Sequence, residues 1–182
     1  MYTSVSFKAR LSDFAEAQTI LLEQEVRFLD AAMQLETYYK VEQGKLKLIK
    51  GGLENALVHY QQQKHQNMFF NEVLLYLKRP SSGLVETLYG SPQPVVELKK
   101  LRKTFVYDNL KVHLDQLETL GYFVEVEALD IDGSYGLEHL LELCESRKEL
   151  LQLEDEDLVQ EDYPVLLNQI TKSINPNNNY NK

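Results

Sequence analysis

Six segments of this chain alternate with the two-residue period of a β-strand, each setting a polar or charged row on one face against an apolar row on the other. Most of the polar rows are cationic. Lys8, Lys45, Lys47, Lys100, Arg102 and Lys111 each occupy one, although the 182-residue chain carries a formal net charge of -9. If such strands close into one barrel with the polar rows inward, the cations line a common tunnel. Unpaired charges in a low-dielectric interior cost several kcal/mol each. The tunnel therefore needs water, internal carboxylates or a polyanionic ligand, and a phosphate chain has the matching chemistry.

The periodicity predicts eight strands. The first, 2–10, puts Val5, Phe7 and Ala9 on one face and Ser4, Ser6 and Lys8 on the other. Asp13 followed by Glu16 has the form of a helix capping box, and Phe14, Ala17, Leu21 and Leu22 repeat at helical spacing to about Phe28. Strands are predicted at 34–40, 45–50, 56–63 and 69–77, with Gly51-Gly52 as a turn, then a short helix at 81–89. Strands at 95–107, 110–117 and 122–130 follow, and a helix at 135–151 buries Leu137, Leu140, Leu141 and Cys144. Eight strands give a closed barrel an interior able to hold one small ligand. The expected fold is α+β, an eight-stranded antiparallel β-barrel or tunnel with helices packed outside. Residues 1–170 are expected to form a single domain and 171–182 a disordered, asparagine-rich tail.

With 43% hydrophobic and 26% charged residues, the chain suits one globular domain with a sizeable core. The acidic balance argues against binding nucleic acid or membrane through bulk electrostatics. Cys144 is the only cysteine, so no intramolecular disulfide can form. Lys8 and Arg10 interrupt any apolar run at the start, and a soluble, cytoplasmic protein is expected. Phosphate-binding loops of the Gly-x-x-x-x-Gly-Lys type, Gly-x-Ser-x-Gly elbows and dinucleotide fingerprints are missing, and His59, His65, His113 and His139 have no zinc-ligand spacing. Phosphate chemistry would fall to side chains in a tunnel.

Several features read two ways. Glu125 and Glu127 share a strand face roughly 7 Å apart and, with Asp115, could hold a magnesium ion or simply form a solvated face. Lys45 and Lys47 suit either a ligand wall or an edge strand protected by lysine. Lys99 and Lys103 flank Lys100 and Arg102, so alternation alone leaves open which row faces inward. The acidic run 154–157, with Glu161 and Asp162 nearby, reads as a solvated loop.

The stretches Glu36-Thr37-Tyr38-Tyr39, Gly44-Lys45-Leu46-Lys47-Leu48, Lys100-Leu101-Arg102, Lys111-Val112-His113-Leu114-Asp115 and Leu120-Gly121-Tyr122-Phe123-Val124-Glu125-Val126-Glu127 resemble the CYTH superfamily, nearest its class IV adenylyl cyclase-like branch. The likeness runs from about Ser4 to about Leu167. It implies a triphosphate tunnel, with a nucleoside, thiamine or inorganic triphosphate as ligand and Mg2+ or Mn2+ as cofactor. On this reading Lys8, Lys45, Lys47, Lys100, Arg102 and Lys111 bind phosphate, and Asp115, Glu125 and Glu127 bind metal. An active member would be a metal-dependent triphosphate phosphohydrolase or an adenylyl cyclase, and a homodimer is a further implication. Departures from the family pattern bear on catalysis. Its first-strand motif, Glu-x-Glu-x-Lys, is here Ser4-Val5-Ser6-Phe7-Lys8, and two further basic positions are Ile49 and Gln61. Hydroxyls replace carboxylates poorly as metal ligands or bases. Weakened catalysis is expected, and the alternative is a non-catalytic polyanion-sensing or protein-interaction module.

Overall fold

The computed structural model describes residues 1–24 and 26–174. Eight antiparallel strands close into a barrel in the order β1, β5, β4, β3, β2, β6, β7, β8. In chain order these are β1 (Tyr2–Arg10), β2 (Arg27–Tyr39), β3 (Lys45–Lys50), β4 (Ala56–His65), β5 (Met68–Lys78), β6 (Pro94–Tyr107), β7 (Leu110–Leu117) and β8 (Gly121–Asp130). The described helices are α1 (Phe14–Leu22), α2 (Leu84–Tyr89), α3 (Leu137–Leu150) and α4 (Tyr163–Ile174), with a single 3-10 turn at Asp155–Asp157. No helix among the described residues is long and apolar enough to cross a membrane.

The main apolar core lies outside the barrel. Val5, Phe7 and Ala9 of β1 join Val112 and Leu114 of β7 and Val124 and Val126 of β8, covered by Ala17 and Leu21 of α1 and Leu140 and Cys144 of α3. Alternation produces this arrangement, because the residues between these positions belong to the polar row and point inward. Burying one leucine such as Leu21 or Leu140 contributes roughly 2–3 kcal/mol, so the outer layer holds the sheet against the helices, while the inner wall is polar around the buried cations and apolar where Ile49, Val58 and Val73 cluster. Asp13 starts α1 as expected, its Oδ1 accepting the backbone N–H groups of Ala15 and Glu16 at 2.9 Å each.

The largest departures from the sequence reading lie at α1, β2 and α4. Helix α1 stops at Leu22, short of Phe28, and β2 begins at Arg27 rather than near 34. The long β6 accounts for this, since it pairs with β2 from Val106 opposite Arg27 to Pro94 opposite Tyr39 and overrides the helical preference of Ala31, Ala32 and Met33. Helix α4 has no counterpart in the expected elements. Tyr163 and Leu166 are buried against Phe123, Leu117 and Leu98, and Pro164 in its first turn is compatible with a helix start. Residues 171–174, assigned to the tail from sequence, continue α4, and the remainder of that tail lies outside the described residues.

Candidate functional site

The inward rows bring together cations from four strands: Lys8 on β1, Lys47 on β3, Lys100 and Arg102 on β6, and Lys111 on β7. Cross-strand register sets acids opposite three of them, with Lys8 facing Glu125, Arg102 facing Asp115 and Lys111 facing Glu127. The ambiguity on β6 is thereby resolved. Lys100 and Arg102 are 1% and 4% exposed, whereas Lys103 extends outward to Gln18 and the ring of Phe14. On β4 the inner row is Val58, Tyr60 and Gln62, so Gln62, not Gln61, lines the tunnel. The chamber at the centre has a volume of about 110 Å3.

Asp115 organises the buried charges. Its carboxylate accepts Lys100 Nζ at 3.1 Å, Arg102 Nε at 2.7 Å, Arg102 Nη2 at 2.6 Å and the Tyr163 hydroxyl at 2.8 Å. Glu36, from β2, lies 2.9 Å from Lys100 and 3.9 Å from Lys47 and accepts the Tyr38 hydroxyl at 2.6 Å. Arg102 also meets Glu125 and, at 3.4 Å, Glu54. Lys111 lies 3.6 Å from Glu54, and Lys45, at the rim, pairs with Asp162. Each of these six cations thus has a carboxylate within 4.0 Å.

These pairs decide the charge states. Burial alone would raise Asp115 and Glu125, but Arg102 foremost holds both below the usual carboxylate range. Burial would likewise raise Glu36, which Lys100 and Lys47 hold well down. Lys47 is raised by Glu36 and Lys111 by Glu127 and Glu54, each against its own burial. Lys8 is the exception, lowered by burial that its neighbours do not offset. Its nearest carboxylate, Glu125, is 4.0 Å away, and Nζ sits 4.1 Å above the Tyr163 ring and 3.5 Å from the Glu161 carbonyl.

His113 is held down to about 4, first by burial and then by Arg102. It shares a hydrogen bond of 3.1 Å with Thr104 Oγ1 and is uncharged near neutrality. The unfolded chain takes up a proton near pH 6.5 that the folded chain refuses until about 4, so this residue's contribution to stability is complete above pH 6.5 and is lost as pH falls. The expected loss is on the order of 3 kcal/mol between pH 7 and 4. Urea titrations across that range check it: His113→Gln should show a correspondingly shallower pH dependence, and an unchanged slope would remove His113 as its source.

The wall that carries serines in place of the expected acids is neutral and self-satisfied. Ser4 donates to Glu127 at 2.8 Å, Asn71 Nδ2 donates to Ser6 at 2.9 Å and to Ser4 at 3.3 Å, and Gln62 Nε2 donates to Asn71 at 2.9 Å. Asp115, Glu125 and Glu127, expected to hold Mg2+ or Mn2+, do not meet as a ligand set. Lys100, Arg102 and Tyr163 engage Asp115, Arg102 engages Glu125 and Ser4 engages Glu127. Among the described residues no three His, Cys, Asp or Glu side chains gather as a metal site. As placed, these three carboxylates are held by cations and a hydroxyl rather than by one another.

Sequence reasoning missed four contributors. Glu36 shares its row with Gln34 and Tyr38, a signal that alternation contains. Glu54 stands in a turn without periodicity, and Tyr163 lies in the unforeseen α4. Asp162 was grouped with the acidic run, yet it reaches Lys45 while Glu154, Asp155 and Glu156 are exposed.

No family model matches the chain, and no curated protein does. Solved structures do. A protein of Pyrococcus horikoshii OT3 superposes with a TM-score of 0.72 at 17% identity, over 90% of this chain and 98% of its own. A candidate adenylate cyclase of Vibrio parahaemolyticus gives 0.70 at 15% identity, over 91% and 97% of the two chains. A candidate adenylyl cyclase of Hippeastrum, described as having a dominant triphosphatase activity, gives 0.57 at 11% identity, over 91% and 95%.

Proposed function

We propose that this chain is a triphosphate tunnel of the CYTH type, since its closed eight-stranded antiparallel barrel superposes on candidate adenylate and adenylyl cyclases, and that the barrel binds a triphosphate-bearing ligand and turns it over weakly or not at all. One observation carries this reading: Lys8, Lys47, Lys100, Arg102 and Lys111 converge on one interior from four strands, and all are buried or partly buried. Phosphate oxygens are the natural acceptors for such a set. Lys8 is the first point of contact, since its burial is the least compensated and an incoming anion restores what Glu125 at 4.0 Å does not supply. Lys47 and Arg102 line the same chamber, with Lys45 at its mouth.

Weak turnover follows from the neutral wall. Ser4, Ser6, Asn71 and Gln62 are joined by hydrogen bonds and none is a base able to activate water or a hydroxyl, and Glu127 beside them already accepts from Ser4. No chemical step is assigned to a divalent ion, because Asp115 and Glu125 already serve as counter-ions. The internal pairing of all six cations favours a second reading as well, a non-catalytic module on the same fold.

Thermal unfolding with tripolyphosphate and with ATP, each with and without magnesium and against sulfate at matched ionic strength, tests the binding. At a hundred times its Kd a ligand stabilises by about 2.7 kcal/mol, which should raise Tm by roughly 5–10 °C. A shift no larger than that with sulfate overturns the proposal. Release of orthophosphate, pyrophosphate and cyclic AMP then separates the readings: background levels of all three from the protein that shows the shift identify a binding module, and robust release of any of them an enzyme.

A further inference from the structure

Different acids stand at the two ends of the barrel. Strand β3 runs from Lys45 at one end to Lys50 at the other. At the first end Asp162 meets Lys45. At the second the chain turns back through residues 51–55, and the Glu54 carboxylate re-enters the barrel, 3.4 Å from Arg102, 3.6 Å from Lys111 and 3.9 Å from His113 Nε2. Glu54, Arg102 and Lys111 line two cavities at once, the central chamber of about 110 Å3 and a second of about 160 Å3 that extends to Gln34 and Thr104. Tyr76 lines both as well, so the Glu54 side chain stands with Tyr76, Arg102 and Lys111 between the two cavities.

The backbone bearing this side chain is pinned. Gly51 and Gly52 have φ of 110° and 68°, and a Cβ would fall 2.3 Å from the Met33 carbonyl oxygen at the first and 2.6 Å from Asp30 Oδ2 at the second. Leu53 N donates to Asp30 Oδ2 and Arg79 N donates to the Asn55 carbonyl, both at 2.8 Å. The carboxylate itself makes only long contacts. Its contacts of 3.4–3.9 Å are longer than the roughly 2.7–2.9 Å of a charge-assisted hydrogen bond. Asp115, by contrast, makes contacts of 2.6–3.1 Å. A phosphate oxygen at ordinary distance would make shorter contacts to Arg102 and Lys111 than Glu54 makes.

We propose that Glu54 is a tethered anion that occupies the Arg102–Lys111 end of the tunnel until a polyanion long enough to reach it swings the side chain aside, so that Glu54 sets the length of polyphosphate the protein accepts. This rests on the tunnel binding polyanions. On this proposal a pyrophosphate occupies the central chamber, which Lys8 and Lys47 line, with Glu54 in place. A tripolyphosphate must displace it, and the ligand's affinity is reduced by the free energy of separating Glu54 from two cations. The effect has one sign: neutralising Glu54 tightens the longer anion and leaves the shorter nearly unchanged.

Calorimetric titration of pyrophosphate and tripolyphosphate into the native protein, Glu54→Gln and Glu54→Asp at one ionic strength tests this. Tripolyphosphate should bind Glu54→Gln at least about tenfold more tightly than the native protein, with pyrophosphate changing less than about threefold. Glu54→Asp keeps the charge but withdraws it from Arg102, and should lie between. Equal or weaker tripolyphosphate binding by Glu54→Gln overturns the displaceable anion while the tunnel reading stands. Equal gains for both anions overturn the length selection. If none of the three folded proteins binds either anion, both this inference and the tunnel reading fall.

Discussion

Replacing Asp115 with alanine is expected to destabilise the protein by about 3–5 kcal/mol at pH 7, the range for removing one partner of a buried ion pair. Asp115 is fully buried and is the acceptor shared by Lys100, Arg102 and Tyr163. Without it Lys100, itself 1% exposed, is left with Glu36 alone, and Arg102 loses its bidentate partner. Tyr163 loses its acceptor too, so α4 should exchange its amide hydrogens faster than α3. Asp115→Asn should cost nearly as much, because its amide hydrogens would face cations. Urea denaturation measures the loss, and a change below about 1 kcal/mol would mean that water, not Asp115, neutralises these cations. Tripolyphosphate should recover more stability in Asp115→Ala than in the native protein, since it would supply the missing charge.

The converse substitution, Arg102→Met, should cost a similar amount at pH 7 and reverse the response to acid. Arg102 contributes to holding Asp115, Glu125 and Glu54 below the usual carboxylate range. Without it those buried carboxyls rise, and groups whose folded pKa exceeds the unfolded value stabilise the protein increasingly as pH falls through that folded value. Each proton taken up on folding returns about 1.4 kcal/mol per pH unit. Between pH 7 and 5 Arg102→Met should therefore regain stability while the native protein, with His113 held to about 4, loses it. Stability curves that run parallel in this window would sink the assignment of Arg102 as the common counter-ion.

The strands were legible because one face meets apolar helices and the other meets charge. Strands β3 and β7 begin and end where alternation placed them, and so does β1. The same period sent Lys8, Lys47, Lys100, Arg102 and Lys111 inward. Where long-range pairing decides, the sequence was silent. The first half of β2 is a strand because β6 lies beside it. On β5 the inner row passes from Phe69, Asn71 and Val73 to Tyr76, because Val73 and Leu75 pair with consecutive residues of β4 and one residue is bulged out. Glu54 and Asp162 escaped for another reason: each acts across the barrel from a segment with no period, so only the closed geometry reveals what it neutralises.

With its main apolar core placed between the sheet and the helices, this fold separates what keeps it folded from what its interior can become. An exchange on the inner wall leaves the packing of α1 and α3 untouched and meets electroneutrality as its constraint instead. A cation can go if an acid goes with it. The present wall already has neutral stretches of this kind: Ser4, Ser6, Asn71 and Gln62 hydrogen-bond among themselves, and the β4 row of Val58, Tyr60 and Gln62 carries no base. Descendants of a sequence like this can drift from one ligand toward another, or toward none, by steps that come in oppositely charged pairs, with the barrel unchanged around them.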